Sequence, residues 1–390
     1  MAKSIFPGFP VPQNDYYKVY VRSITYNQAP YIEDCMNGVA MQQTDFPFVH
    51  HVIDDCSTDG EQEVIKTYLN NNCDIENAEY YDNDICSITI AMNKSNPNCT
   101  LAVYFLKRNL YRDQEKKKEL YALWREVCPY EALCEGDDFW IDPQKLKKQV
   151  NWLEFHPEYT MCCSDAKVVT HSGEENWHRY DHDSDVNPQD MIMGGGLFVQ
   201  TASLLYRNDL LDNYPVFCKE CHVGDYPLQI WATLNGKVRY FAKKMAVYRY
   251  ACANSWTSKV GNQLLDKEIK GCRSEMDMLQ GLNQYSNYKY NNVFINREIH
   301  HIDVFLHSRI DDWKVISYCF SDIVRHFGHK QKVENWLRCH GLRHLADSWL
   351  IYCKQGVKDG VYSLPILKSI IPIFRSYKNK MFHKVFRDEI

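Results

Sequence analysis

Two pairs of adjacent carboxylates are the groups in this sequence best placed to do chemistry. One pair opens the run Asp54-Asp55-Cys56-Ser57-Thr58-Asp59-Gly60. The other lies inside Glu135-Gly136-Asp137-Asp138-Phe139-Trp140. Neighbouring carboxylates repel, and burying them is costly unless a cation or strong donors sit between them. A hard divalent ion with oxygen ligands answers that cost at Asp137-Asp138, and a nucleotide diphosphate can fill its remaining coordination positions. Gly136 lets the backbone turn closely around such a ligand. The Asp54 run superficially matches the first half of a calcium loop, but the twelfth position is Lys66 where a Glu is needed, so that reading fails. Two readings of it remain. In one, a strand-to-helix turn aims its carboxylates at the N–H of a base and at ribose hydroxyls. In the other it is a capped turn, with Ser57 or Thr58 capping the helix that starts near Glu61.

These clusters need elements to hold them. Residues 17–24, 48–53, 101–106 and 130–134 read as strands, and 31–42, 61–70, 114–127 and 144–155 as helices, with Pro143 suited to the last one's first turn. This alternation predicts an α/β sheet with parallel strands and helices on both faces. Such sheets bind ligands at the carboxyl ends of their strands. Thr25-Tyr26-Asn27 follows the first strand, the Asp54 run the second and Glu135–Asp138 the fourth. Three polar clusters on one edge point to one composite site.

The 390 residues suffice for a full core, and 45% hydrophobic with 24% charged residues excludes wholesale disorder. A net charge of −5 gives no support for a nucleic-acid partner. The 27 Tyr and 9 Trp suit a sugar-handling protein, although many of these rings belong in a core. Residues 1–17 lack the apolar run of a signal peptide, and no stretch of about 18 apolar residues follows. The expectation is therefore a cytoplasmic protein whose 16 Cys are reduced thiols. Cys218-Lys219-Glu220-Cys221-His222 matches a haem-attachment pattern, but that chemistry requires export, and a zinc site there lacks a fourth ligand. Incidental thiols are the expectation.

In order and spacing, Thr25-Tyr26-Asn27, Asp54 to Gly60 and Glu135 to Trp140 resemble glycosyltransferase family 2, over roughly residues 18–249. The resemblance implies the A-type fold, a Rossmann-like mixed α/β sheet flanked by helices. It implies a nucleotide-sugar donor, UDP being the commonest nucleotide, and Mn²⁺ or Mg²⁺ as cofactor. It places the nucleobase and ribose at Thr25, Asn27, Asp54 and Asp55, the metal on Asp138, and Asp137 close to the ribose or diphosphate. The family's acceptor-side carboxylate, at the start of a helix, matches Asp225 in Gly224-Asp225-Tyr226-Pro227-Leu228, with the helix running to Asn235 and a strand following at 237–241. That makes Asp225 the candidate general base, and a helix N-terminus favours its ionised form. Gly195, Gly196 and Thr201 fall in the segment that shapes the donor-sugar and acceptor pocket. One departure is that relatives often carry a His after the position of Tyr248-Arg249-Tyr250, where this chain has Ala251 and Cys252.

The expected organisation is a catalytic domain over 1–260 and a helical C-terminal extension over 261–390, with helices at 267–282, 296–308, 313–326 and 333–354. Residues 361–390 are basic and amphipathic. They can lie on the inner face of a membrane or pack against the rest of the chain, and Pro365 and Pro372 interrupt any helix there. The expected activity is inverting transfer of a sugar to a hydroxyl of a saccharide or lipid-linked acceptor, in bacterial polysaccharide biosynthesis. Two rivals differ in class. A nucleotidyltransferase making a nucleotide-sugar would need a basic glycine-rich loop near its N-terminus, which residues 23–31 do not provide. A non-catalytic carbohydrate-binding relative has no reason to retain Asp137, Asp138 and Asp225 together.

Overall fold

Val19 and Val21 enter one apolar layer while Tyr20, between them, enters another. In a strand this alternation means that both faces are covered. The first layer adds Ile32 and Met36 from helix Ile32–Ala40, Leu69 from Glu61–Asn72, and Leu146 and Val150 from Lys145–Phe155. The second adds Leu120, Tyr121 and Trp124 from helix Gln114–Val127. The sheet is thus sandwiched by helices, as the alternation of elements predicts.

The computed structural model describes residues 16–111, 113–252, 255, 265–308, 313–328, 331, 332 and 335. Its strands are β1 (Val19–Thr25), β2 (Phe48–Asp54), β3 (Glu79–Asp82), β4 (Cys86–Met92), β5 (Cys99–Leu106), β6 (Tyr130–Leu133), β7 (Phe139–Trp140), β8 (Tyr159–Thr170), β9 (Gly173–Glu175), β10 (Ser184–Asp185), β11 (Leu205–Arg207) and β12 (Lys237–Arg249). They form one sheet in the order β10-β12-β8-β11-β6-β1-β2-β5-β4-β3, with β7 on β12 and β9 on β8. β6, β1, β2 and β5 run parallel, and β8 and β12 are parallel to each other. β11 between β6 and β8 is antiparallel to both, as is the β3–β4 hairpin beside β5. The sheet is therefore mixed, the architecture that the family resemblance implies. The hairpin Glu79–Met92 and the long strand β8 are additions to the strands read from sequence.

β12 is longer than the expected 237–241. With register shifts near Lys244 it stays paired with β8 as far as Arg249, while Val247 also pairs with Phe139 of β7 and Arg249 arrives beside the Asp137-Asp138 turn.

The chain divides into two compact units, Met1–Glu298 and Ile299–Ile390. Helix Leu265–Tyr285 belongs to the first. Its Gly281 lies against Phe217, and its Tyr285 ring sits 4.6 Å from that of Trp231. In the second unit, Trp313, Ile316, Phe320 and Ile323 are buried. The helix expected over 313–326 is two there, Trp313–Cys319 and Ser321–Val324, with the break at Phe320. No helix among the described residues is long and apolar enough to cross a membrane. The basic stretch 361–390 and nearly all of the helix expected over 333–354 lie outside the described residues.

Candidate functional site

The loops after β1 and β2 are knit together by a carboxylate that the motifs did not single out. Glu61 is fully buried. It accepts hydrogen bonds from the Thr25 hydroxyl, from the Gln28 N–H (2.9 Å) and from the Ser57 hydroxyl (2.8 Å). Ser57 in turn accepts the Asn27 N–H at 2.9 Å, and Asn27 accepts the Thr58 N–H at 2.8 Å. Asn27 and Cys56 both adopt positive φ, which suits tight turns. The expected Ser57 or Thr58 cap is not formed. Gly60 occupies the N-cap position at φ +94°, and Asp59 accepts the Glu61 N–H at 3.1 Å while Ser57 is engaged by Glu61.

The two Asp of this turn have different surroundings. Asp54 accepts from the Ser57 N–H and from Gln62 Nε2 (2.5 Å), and burial raises its pKa. Asp55 forms a buried ion pair with Lys117 at 2.7 Å and also accepts the Leu110 N–H at 2.6 Å. Asp55 thus fixes helix Gln114–Val127, through Lys117, and the loop after β5, through Leu110, against the turn after β2. The solvent-facing rim of the turn is Thr58, Asp59 and Gly60.

The second acidic turn follows β6. The Gly136 N–H is bonded to the Ile24 carbonyl, which sets the turn against the end of β1. A Cβ on Gly136 would lie 2.3 Å from Thr25 Oγ1 and 2.6 Å from Thr25 Cβ. Thr25 is held by Glu61 and cannot yield cheaply. Gly136→Ala is expected to destabilise the protein by about 1–3 kcal/mol, the usual cost of overpacking, read as a lower urea midpoint; an unchanged midpoint contradicts this packing.

Arg249 organises the acids beyond Gly136. Its N–H donates to Asp138 Oδ1 at 2.9 Å, and its guanidinium donates to the Asp137 carbonyl at 2.8 Å and to Asp34. The guanidinium also lies 4.4 Å from the Phe139 ring centre. Asp138 is buried, Asp137 partly so, and Glu135 is open to solvent. Its carboxyl is nonetheless pushed up to about 7, by desolvation first and then by Asp137 and Asp225. Desolvation and then Asp137 raise the pKa of Asp138 strongly, and desolvation raises that of Asp137. Cys252, in the segment where relatives often have a His, has its sulfur 3.5 Å from Asp137 Oδ2.

This donor set suits a hard cation in its chemistry. Desolvation is the first cause of the raised pKa of all three carboxylates, and repulsion from neighbouring carboxylates adds to it at Glu135 and Asp138, a cost that a divalent ion would relieve. No group of three or more His, Cys, Asp or Glu among the described residues could itself enclose a metal.

Asp225 begins helix Asp225–Asn235, as expected. Its Oδ2 accepts from the Thr201 hydroxyl at 2.9 Å and its Oδ1 from the Tyr226 N–H at 2.8 Å. Gly196 lies against it, since a Cβ there would be 3.7 Å from Oδ1. Gly196 and Thr201 are thus gathered on Asp225. Gly195 turns at φ +68° and faces the Arg297 guanidinium. The ionised form that a helix N-terminus favours is opposed here by burial, which raises the pKa of Asp225 against the lowering effect of Thr201 and the Tyr226 N–H. Trp140 closes the arrangement. Its Nε1 donates to the Ala202 carbonyl at 2.7 Å, joining the acidic turn to the segment that carries Thr201. Cys218 and Cys221 are buried thiols with raised pKa values, in keeping with an incidental role.

The sequence reading missed Glu61, Arg249, Lys117 and Arg297. Only Glu61 carried a local signal, a Glu four residues after Ser57 at the head of an expected helix.

Residues 21–86 match the family model described as Glycosyl transferase family 2. This bears out the family resemblance drawn from the motifs. The matched segment holds the Thr25 and Asp54 clusters, and the Glu135 turn and Asp225 lie beyond it. Uncharacterised proteins of Mycobacterium bovis (Mb1547) and Mycobacterium tuberculosis (Rv1520) are each 31% identical over 256 residues, 64% of this chain and 63% of the relative. The chain thus spans less than two thirds of the length of these relatives. Among solved structures, residues 1–349 of S. aureus TarS in complex with UDP align over 88% of this chain and 92% of that one, at 17% identity and a TM-score of 0.43. The mannosyltransferase PcManGT from Pyrobaculum calidifontis, in complex with GDP-Man and Mn²⁺, aligns over 88% and 90%, at 12% identity and a TM-score of 0.41.

Proposed function

We propose that this chain, matched to glycosyl transferase family 2 over residues 21–86, is an inverting glycosyltransferase. It moves a sugar from a nucleotide-diphosphate donor to a hydroxyl of a saccharide or lipid-linked acceptor. The observation that carries the reading is the joining of the acidic turn to Asp225. Glu135 responds to both Asp137 and Asp225, and Trp140 ties one segment to the other.

The turns around Thr25, Asn27, Asp54 and Asp55 hold the nucleoside, pre-shaped by Glu61. Asp138, with Asp137 beside it, would hold Mn²⁺ or Mg²⁺, whose charge would offset that of the departing diphosphate. Asp225 takes the proton of the acceptor hydroxyl. The hydroxyl oxygen then bonds to the anomeric carbon from the face opposite the diphosphate, which leaves with the electron pair of the broken C–O bond. One displacement inverts the configuration. Thr201 keeps Asp225 oriented, the bare backbone of Gly196 leaves room for the sugar beside that carboxylate, and Gly195 makes the turn that brings the segment there. A UDP-sugar is the donor we favour, and a cytoplasmic step of bacterial polysaccharide synthesis is the setting, with no nucleic-acid partner.

The test is the full chain with Mn²⁺ against a panel of UDP-, GDP- and dTDP-sugars. Release of the nucleotide from at least one donor is the expected result. If no member binds or turns over, the assignment fails.

A further inference from the structure

The abundant aromatic residues divide sharply by environment. Trp124, Trp140 and Trp231 are core residues, each 3% exposed or less. Trp177 is half-exposed and gathers two half-exposed tyrosines: Tyr250 at 5.1 Å and Tyr248 at 6.3 Å between ring centres, with 6.2 Å between the tyrosines. The Trp177 Nε1 donates to Glu175 at 2.9 Å, which satisfies the polar edge of the indole and fixes its rotation.

Chain neighbours link this cluster to both halves of the candidate site. Arg249, beside Tyr250, grips the Asp137-Asp138 turn, and Cys252 reaches Asp137 two residues further on. Arg179, two residues after Trp177, donates to the carbonyls of Leu197 and Phe198, at the end of the glycine segment that lies on Asp225. The segments that carry the rings thus each reach one half of the candidate site: the strand of Tyr248 and its continuation the acidic turn, and the stretch after Trp177 the glycine segment.

We infer that Trp177, with Tyr248 and Tyr250, is a stacking subsite for a pyranose ring of a saccharide acceptor. This rests on the glycosyl-transfer reading above. Aromatic faces carry negative potential and attract the polarised C–H face of a pyranose, and tyrosine hydroxyls suit its hydroxyl rim. A donor nucleobase is the rival occupant, and distance excludes it. The base-side turn follows β2, and β1, β6 and β11 intervene before β8. Four strand spacings of about 4.8 Å place the two regions about 19 Å apart across the sheet. The subsite holds a sugar unit of the acceptor beyond the one that reacts.

The experiment uses full-length protein labelled with 5-fluorotryptophan, the Trp177 resonance being assigned by its loss in Trp177→Phe. The probes are cellobiose, maltose, lactose and N,N′-diacetylchitobiose at millimolar concentration, with UDP–Mn²⁺ as a separate arm. At least one disaccharide should shift the Trp177 resonance. Trp177→Ala should weaken that disaccharide about tenfold, Trp177→Phe should retain most of the affinity, and both should bind UDP–Mn²⁺ as the parent does. The subsite is overturned if no disaccharide moves the resonance, or if Trp177→Ala binds disaccharide unchanged. Failure of the whole UDP-, GDP- and dTDP-sugar panel with the parent would instead sink the glycosyl-transfer reading, while a disaccharide response at Trp177 would still stand.

Discussion

Replacing Asp138 by Asn is expected to abolish metal-dependent donor turnover while leaving the fold intact or more stable. Asparagine keeps an oxygen in the position that accepts the Arg249 N–H, so the turn retains its anchor. What disappears is a carboxylate whose ionised form is opposed first by desolvation and then by Asp137 and Glu135, a cost the folded protein otherwise bears. The two effects therefore have opposite signs. Loss of one electrostatic contact to developing charge costs about 10²–10³ in kcat, and loss of the charge that holds the cation should cost at least the upper figure. Mn²⁺-dependent turnover and thermal midpoint measured on the same preparation test both. Wild-type turnover would remove Asp138 from the metal corner. A collapsed midpoint would show that its charge, rather than its shape, holds the turn.

Asp225→Asn should separate binding from transfer. The side chain keeps its shape: its oxygen can still accept the Tyr226 N–H and its NH2 can donate to the Thr201 hydroxyl, so the surroundings of Gly196 are preserved. Donor affinity should stay near that of the parent, and transfer should fall by about 10²–10⁴, the usual contribution of a placed base. Burial raises the pKa of Asp225, so the acidic limb of kcat/KM should lie above the ordinary aspartate range and vanish in the Asn variant. Loss of donor binding in this variant would contradict the role of base.

What was readable in the sequence follows from how local each signal is. β1, β2 and β6 are nearly continuous buried runs, and their polar followers fall at predictable positions. β8 escaped notice because its buried centre is Cys162, Cys163, Ser164 and Asp165, residues with little strand signal. β3 is Glu-Tyr-Tyr-Asp and mostly exposed, so it has no apolar alternation to read. The site divides in the same way. The acidic motifs were legible because their members are adjacent, whereas the groups that arrange them act across the chain. Glu61 meets Thr25 over 36 residues and Arg249 meets Asp138 over 111. Trp177 sat in a polar segment, and only tertiary structure brings Tyr248 and Tyr250 to it.

The reach of Arg249 back to Asp138 also orders events in time. A chain emerging from synthesis makes the Glu135–Asp138 turn long before β12, and in that interval the carboxylates repel with no guanidinium among them. Docking of β12 onto β8 is a non-local pairing, and such contacts form slowly because the loop-closure entropy must be met first. The corner that would take the cation is thus set only when the last strand of the sheet is in place. A half-made chain holds the acids but not their arrangement, and competence arrives with the completion of folding.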